Sequence, residues 1–191
     1  FVDQLAEAGQ KYWQILPLGP TGYGDSPYQS FSTFAGNPYF IDLEELIQRD
    51  LLTAAECAEC DWGGSKSYVD YEKVYLSRFS LLRKAYRRFY QMDGKEKELQ
   101  LIREEMEAVE KEQGFWLADY CLYMAVKDSL EGISWNQWPE DLKTRKPETL
   151  AKAREELKED ISFYAFQQFW FYRQWNRLKK YANDRGIKII G

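Results

Sequence analysis

Residues 13–42 read WQILPLGPTGYGDSPYQSFSTFAGNPYFID, an apolar run that breaks into a long segment of Gly, Pro, Ser, Tyr, Asn and Gln. The run from Lys11 to Leu18, with Tyr12, Trp13, Ile15 and Leu16 nearly continuous in apolarity, predicts a parallel strand covered on both faces. The segment that follows is too long for an ordinary connection inside a compact domain, and segments of this composition at a strand end are where binding residues concentrate. Ahead of the strand, Val2, Leu5 and Ala6 share one helical face, and Gly9 suits a C-terminal cap. Helix, glycine and buried strand together make an α/β unit.

Beyond the long segment the pattern turns helical. A helix is expected from about Leu43 to Arg49, and Thr53 with Glu56 three residues later is a capping-box pattern that opens another. Residues 61–67, DWGGSKS, read as loop. Tyr75, Phe79, Leu82, Tyr86 and Phe89 recur at steps of four and three, which predicts a long amphipathic helix ending near Asp93 and Gly94. Leu99, Ile102, Met106 and Val109 repeat that pattern up to Gly114. The run Phe115 to Val126 is apolar almost all round and is expected to be the central helix of the group. Trp135 to Pro147 reads as loop, with Pro147 at the first turn of a further helix. An aromatic-rich helix then runs to Gly186, and Ile187 to Ile190 begins a second buried strand. The order gives residues 1–49 as helix, strand and loop, 50–160 as an all-helical insertion, and 161–191 as helix and strand, an α/β class.

Composition narrows the function. The 191 residues carry a formal net charge of -5, which argues against nucleic acid or an anionic membrane surface as partner. Aromatic residues make up 17%, and flat apolar rings with polar edges suit sugars, whose C–H faces stack while their hydroxyls seek hydrogen bonds. The chain has no His, which removes Ser-His-Asp and Cys-His catalysis and His-ligated metal within these residues. Its three cysteines are Cys57, Cys60 and Cys121, an odd number without a disulfide framework. The single C-x-x-C lies in a helix-like segment without a second pair, so a reducing, cytoplasmic setting is the simplest reading. No apolar run approaches a membrane span, and no signal peptide is visible. The first residue is Phe, inside a helical pattern, so a longer parent protein is expected.

The block from Trp13 to Leu43, with LPLGPTGYGDSPYQ at 16–29 and GNPY at 36–39, closely resembles the 4-alpha-glucanotransferases known as amylomaltases or disproportionating enzymes, glycoside hydrolase family 77. The terminal FYRQWNRLKKYANDRGIKIIG, residues 171–191, resembles the same family, its YANDRGIKIIG matching the third-strand region. The resemblance spans the chain, strongly at both ends and weakly through the helical middle. It implies a partial (β/α)8 TIM barrel, the region of strands two and three, with the helical block as an insertion subdomain. It also implies cleavage of an alpha-1,4 bond in maltodextrin and transfer of the glycosyl piece to another glucan, with no metal or organic cofactor. The mechanism the resemblance implies is retaining, with one carboxylate as nucleophile and a second as acid/base. The family's catalytic carboxylates are expected after Gly191, so the remainder of the same enzyme is needed to close the barrel, and these residues alone are expected to be inactive.

Within the chain the resemblance assigns Tyr28 to stacking on the sugar at the cleavage point, against the plain alternative of core packing. Tyr23 matches a tyrosine of a second glucan surface, with a turn aromatic between two glycines as the alternative. Asp25 and Ser26 precede Pro27 and suit loop shaping. Gln29, Ser30 and Asn37 serve either sugar hydroxyls or the loop itself, and Pro38 forces an extended geometry at Asn37. Tyr71 approaches the outer glucan surface or packs its helix. Trp62, Trp135 and Trp138 lie in loop-like stretches, where the alternatives are exposed sugar platforms and core edges, and they are read as core edges. The rival functions are an amylase-like alpha-glucan hydrolase and a non-catalytic maltodextrin-binding module.

Overall fold

Two short strands set the frame. β1 (Tyr12–Gln14) and β2 (Lys188–Ile190) pair in parallel with Trp13 opposite Ile189, in a computed structural model that describes residues 1–22, 24–65, 67–91 and 96–191, residue 96 without its side chain. Bonds from Ile15 N to Ile190 O and from Lys188 N to Lys11 O, each 2.8 Å, extend the ladder by one step at either end. The ladder stops short of the expected Leu18 because Pro17 has no N–H to give it. The strands are also less covered than the apolar run predicts. Trp13 and Ile189 are half-buried on a core formed by Val2, Ala182 and Ile187, whereas Tyr12 is 59% and Leu16 58% exposed on alternate positions. Residues 1–191 cover one face of the pair and leave much of the other open.

The first helix, α1 (Val2–Glu7), lays Val2, Leu5 and Ala6 on that core, as the periodicity predicts. After the long loop, α2 (Leu43–Gln48) starts at Asp42, whose Oδ1 accepts from Glu44 N at 3.0 Å. α3 (Ala54–Ala58) carries the expected capping box, with Glu56 N on Thr53 Oγ1 at 3.2 Å and Thr53 N on Glu56 Oε2 at 3.0 Å. α4 runs Tyr71–Gln91 and α5 Glu96–Glu112; the helix end expected near Asp93 and Gly94 lies outside the described residues.

α6 (Leu117–Ser129) buries Leu117, Tyr120, Cys121, Leu122, Ala125 and Val126 but leaves Asp119 in solvent, so it is one-sided rather than central. The stretch read as loop from Trp135 holds a 3-10 turn, Trp135–Gln137, and α7 (Glu140–Lys143). Pro139 at its N-cap, acidic residues in its first turn and Lys143 in its last favour that one turn of helix. α8 (Pro147–Glu156) has Pro147 at its first position, and α9 (Lys158–Asp184) follows. The helix buried all round is α9, whose residues 163–171 are all buried. Gly9 and Gly186 take the left-handed cap conformation, with φ of 72° and 75°.

The chain divides into two compact units, residues 1–85 with 170–191 and residues 86–169, so α4 and α9 contribute to both. In the second, Tyr86 meets Phe163 and Phe166 at ring distances of 5.6 and 5.7 Å, and Phe89 meets Phe166 at 5.4 Å. Leu122, Val126, Trp138 and Ala153 form its other cluster. Trp138 is thus core, Trp62 is half-buried with Arg78 5.6 Å over its ring, and Trp135 is 57% exposed rather than a core edge. No helix among the described residues is long and apolar enough to cross a membrane.

Candidate functional site

Within the first unit, the loop that leaves β1 folds into a hairpin and a return limb. Thr21 and Ser30 form an antiparallel bridge, and Gly22 N bonds Gln29 O at 3.3 Å. At the tip, Asp25 adopts a left-handed φ of 52°, its N on Gly22 O at 3.2 Å and its Oδ1 accepting from Thr21 Oγ1 at 3.4 Å. Ser26, Pro27, Tyr28 and Gln29 make a turn closed by Gln29 N to Ser26 O at 3.1 Å, with Pro in the position whose φ it presets. Tyr28 N also reaches Ser26 Oγ at 3.4 Å. The backbone of Tyr28 is therefore fixed while its side chain is 76% exposed.

The return limb is built on a serine and an asparagine. Ser32 Oγ accepts from Phe34 N and Ala35 N, each at 3.2 Å. Asn37 is buried at 4% exposure; its N bonds Leu18 O at 2.8 Å and its Oδ1 accepts from Tyr39 N at 2.9 Å, capping the 3-10 turn Pro38–Phe40. Three contacts then tie this limb to α9. Tyr172 Oη donates to Phe34 O, Gln174 Oε1 accepts from Asp42 N at 2.7 Å, and Gln174 Nε2 donates to Asp42 O at 3.1 Å. The third residue of α2, Glu45, is buried with its carboxylate on Arg173 at 2.5 Å, Arg177 at 2.8 Å and Arg49 at 3.5 Å. Burial opposes ionisation of Glu45, but the guanidinium of Arg177, then those of Arg173 and Arg49, outweigh it and hold the carboxyl below its ordinary range.

Between the end of β1, the loop and the start of α4 lies a cleft of about 600 Å³. Gln14, Leu16, Asp25, Asn37, Tyr39 and Tyr71 are among its lining residues. Tyr71 is 44% exposed and its ring lies 6.4 Å from that of Tyr39. Burial, then the charge of Asp25 and the nearby Tyr75 and Tyr71, push the Tyr39 phenol up to about 12, so it stays a neutral donor through the physiological range. A concave, mostly apolar space with a few converging amide, phenol and carboxylate groups suits a neutral polyhydroxylated ligand. Among the described residues no His, Cys, Asp or Glu cluster is disposed to hold a metal ion.

The structure brings Asp25, Asn37 and Tyr71 to this cleft, sets Ser26 and Gln29 in the hairpin turn, and leaves Tyr28 in solvent, outside the lining residues but next to Pro27, which is one of them. Tyr23 lies outside the described residues. Sequence reading passed over Gln14, Tyr39 and Phe40. The strand alternation that separates Gln14 from Trp13 was the available signal for the first, and the GNPY quartet for the second. A second groove, about 630 Å³, is lined by Trp13 and Ile15 at the end of β1 and by residues of α9, including Phe171, Trp175 and Leu178, with Asp42, Gln174 and Arg177 as its charged and amide groups.

A model of glycoside hydrolase family 77, described as 4-alpha-glucanotransferase, matches residues 1–191. The 4-alpha-glucanotransferase of Clostridium butyricum is 48% identical over 191 residues, covering 100% of this chain and 37% of that protein. That of Thermus thermophilus is 46% identical, again over 100% of this chain and 36% of its own length. The solved amylomaltase from Streptococcus agalactiae in complex with acarbose superimposes with a TM-score of 0.88 at 36% identity, over 100% of this chain and 37% of that one. The chain thus spans little more than a third of the length of the relatives it matches.

Proposed function

Because the chain belongs to the 4-alpha-glucanotransferase family, we propose that it forms one wall of the substrate cleft of an enzyme that cleaves alpha-1,4-glucan and passes the glycosyl segment to an acceptor glucan. The observation that carries this reading is the TM-score of 0.88, over the whole chain, with an amylomaltase in complex with acarbose. In support, the cleft takes Asp25, Asn37 and Tyr39 from the loop at the C-terminal end of a parallel strand, where (β/α)8 enzymes bind substrate. On this reading β1 and β2 are barrel strands two and three, α9 is the helix between them, and residues 50–160 are a helical subdomain inserted between residues 1–49 and 161–191. The second groove and the open face of the strand pair are where the rest of the barrel packs. Free Cys57, Cys60 and Cys121 suit a cytoplasmic setting.

The chemistry is a double displacement. A carboxylate attacks the anomeric carbon while a carboxylic acid protonates the leaving sugar, and an acceptor hydroxyl then displaces the enzyme with retention. Retaining action needs two carboxyl groups about 5 Å apart. Among the described residues lining the cleft, Asp25 is the one carboxylate, and its Oδ1 accepts from Thr21 within the hairpin. The family resemblance assigns the reacting pair to strands other than those formed here. What this chain contributes is surface: Tyr28 as an exposed stacking face, Tyr71 along the outer edge, and Asp25, Ser26, Gln29 and Asn37 in shaping the wall and meeting hydroxyls.

Product analysis of the full-length protein with maltotriose tests the reading. Transfer yields glucose together with maltopentaose and longer glucans. Glucose and maltose alone indicate hydrolysis and overturn it in favour of an amylase-like enzyme. Residues 1–191 produced alone are expected to release no glucose.

A further inference from the structure

Asn37 and Tyr39 of the GNPY quartet at 36–39 line the cleft, whereas Gly36 is set against Phe171 of α9. A Cβ built on Gly36 would lie 2.0, 2.2 and 2.3 Å from Cδ1, Cε1 and Cγ of Phe171. No side chain tolerates such approaches, and Cγ is the root of the ring rather than a mobile tip. Phe171 itself is buried, with its ring edge-on to Tyr172 at 5.3 Å. The backbone of Gly36 therefore rests directly on the face of a fixed aromatic ring.

The neighbouring contacts make this a fulcrum rather than a local fit. On one side of Gly36, Tyr172 Oη donates to Phe34 O; on the other, Asn37 N reaches Leu18 O at 2.8 Å and Gln174 clasps both backbone groups of Asp42. Residues 34–42 are held from behind by positions 171, 172 and 174 of α9, and their free side supplies Asn37, Tyr39 and Phe40 to the cleft. We infer that Gly36 and Phe171 form a positioning contact that sets the depth of the cleft wall, so the missing side chain at 36 controls how well Asn37, Tyr39 and Phe40 meet the sugar. An added methyl pushes the quartet off the ring and into the cleft. The glycine is required by the ring, since its φ is not in the left-handed region that favours glycine.

The inference rests on the proposed function for its ligand, a maltodextrin, and the test keeps the two apart. In the full-length protein, wild type, Gly36→Ala, Phe171→Ala and the double variant are compared by acarbose titration calorimetry, maltotriose kinetics, melting temperature and amide hydrogen exchange. Gly36→Ala is expected to weaken acarbose binding and raise KM at least tenfold, and to lose protection at the amides of Asn37 and Phe40. Phe171→Ala lowers the melting temperature more than it changes KM. The double variant melts no higher than Phe171→Ala but recovers most of the affinity and the protection, because the methyl then has room. Affinity and melting temperature falling and recovering together would indicate a merely structural contact and overturn the inference, as would wild-type affinity in Gly36→Ala. Should the double variant fail to fold, Gly36→Ala with Phe171→Leu, which offers a branched chain able to swing aside, replaces it. If the wild type binds no acarbose, the proposed function fails on its own, and hydrogen exchange still decides the contact: retained protection of Asn37 and Phe40 in Gly36→Ala sinks it.

Discussion

The cleft wall, residues 15–42, and the helical unit, residues 86–169, keep their shapes by different means. The wall holds with single polar contacts: a serine, an asparagine cap, one amide clasp, one phenol on a carbonyl. Two of its partners, Tyr172 and Gln174, lie more than 130 positions along the chain. The helical unit holds with repeated apolar faces, where Tyr86, Phe89, Phe163 and Phe166 interlock at edge-on and tilted angles. A wall made this way can leave Tyr28 and Tyr71 in solvent without losing its backbone geometry. A packed unit has no such freedom, because every ring removed leaves a cavity.

The largest expected effect is therefore in the packed unit. Phe166 is fully buried between Tyr86 and Phe89, and Phe166→Ala is expected to cost about 3–5 kcal/mol in urea unfolding. Its effect on glucan affinity, for the fraction that remains folded, should be slight. A loss of less than about 1 kcal/mol would show that the unit is loosely packed and erase the contrast with the wall.

Next comes the anchor behind the wall. Replacing Glu45 by Gln leaves three guanidinium groups without their carboxylate, and breaking a buried pair costs about 3–5 kcal/mol. Arg177 is 62% exposed, so water takes up part of that loss. About 2–3 kcal/mol near neutral pH is the expectation. The sign of the pH dependence follows from a folded-state pKa held below the ordinary 4.5. Such a group stabilises the fold above pH 4.5 and loses that contribution as pH falls through its folded value. The gap between wild type and Glu45→Gln should be constant near neutrality and shrink below about pH 4.5. A gap that widens in acid would assign the stabilisation to another carboxylate.

The same contrast explains what the sequence makes legible. Periodicity announces α4, α5 and the aromatic helix because each apolar step is a local spacing, and the Thr53–Glu56 box is a four-residue pattern. The strand ends were less legible, since Pro17 cuts the ladder in a run whose apolarity continues. The helix buried all round is α9 rather than the expected 115–126 run, for a related reason: Gln167 and Gln168 sit in its buried stretch at 0% and 1% exposure, where hydropathy alone places solvent. The motif singled out the wall segment, yet its geometry was not legible. Nothing near Asp42 signals Gln174, and nothing near Gly36 signals Phe171, because those pairings exist only once the chain has folded. Asn37 shows the mixture within one residue: it lines the cleft, as a ligand group should, and also caps the 3-10 turn.

The smallest expected change in stability belongs to the residue with the largest expected role in binding. Tyr28 has its backbone set by Ser26 and Gln29 while its ring is 76% exposed. An exposed side chain gains little from the fold, so Tyr28→Ala should shift unfolding by no more than about 0.5 kcal/mol. If its ring is the stacking face for the sugar, kcat/KM for maltotriose in the full-length protein should fall about a hundredfold, about 2.7 kcal/mol of transition-state binding. Tyr28→Phe separates ring from hydroxyl: stacking alone predicts near-complete recovery, and a hydroxyl contact predicts that part of the loss persists. An unchanged kcat/KM in Tyr28→Ala would remove Tyr28 from the site and leave Tyr39 and Tyr71, inside the cleft, as its sugar-facing phenols. Polar contacts hold a loop still while its most exposed ring is spared any part in folding, and that separation is what the two measurements on Tyr28 read together.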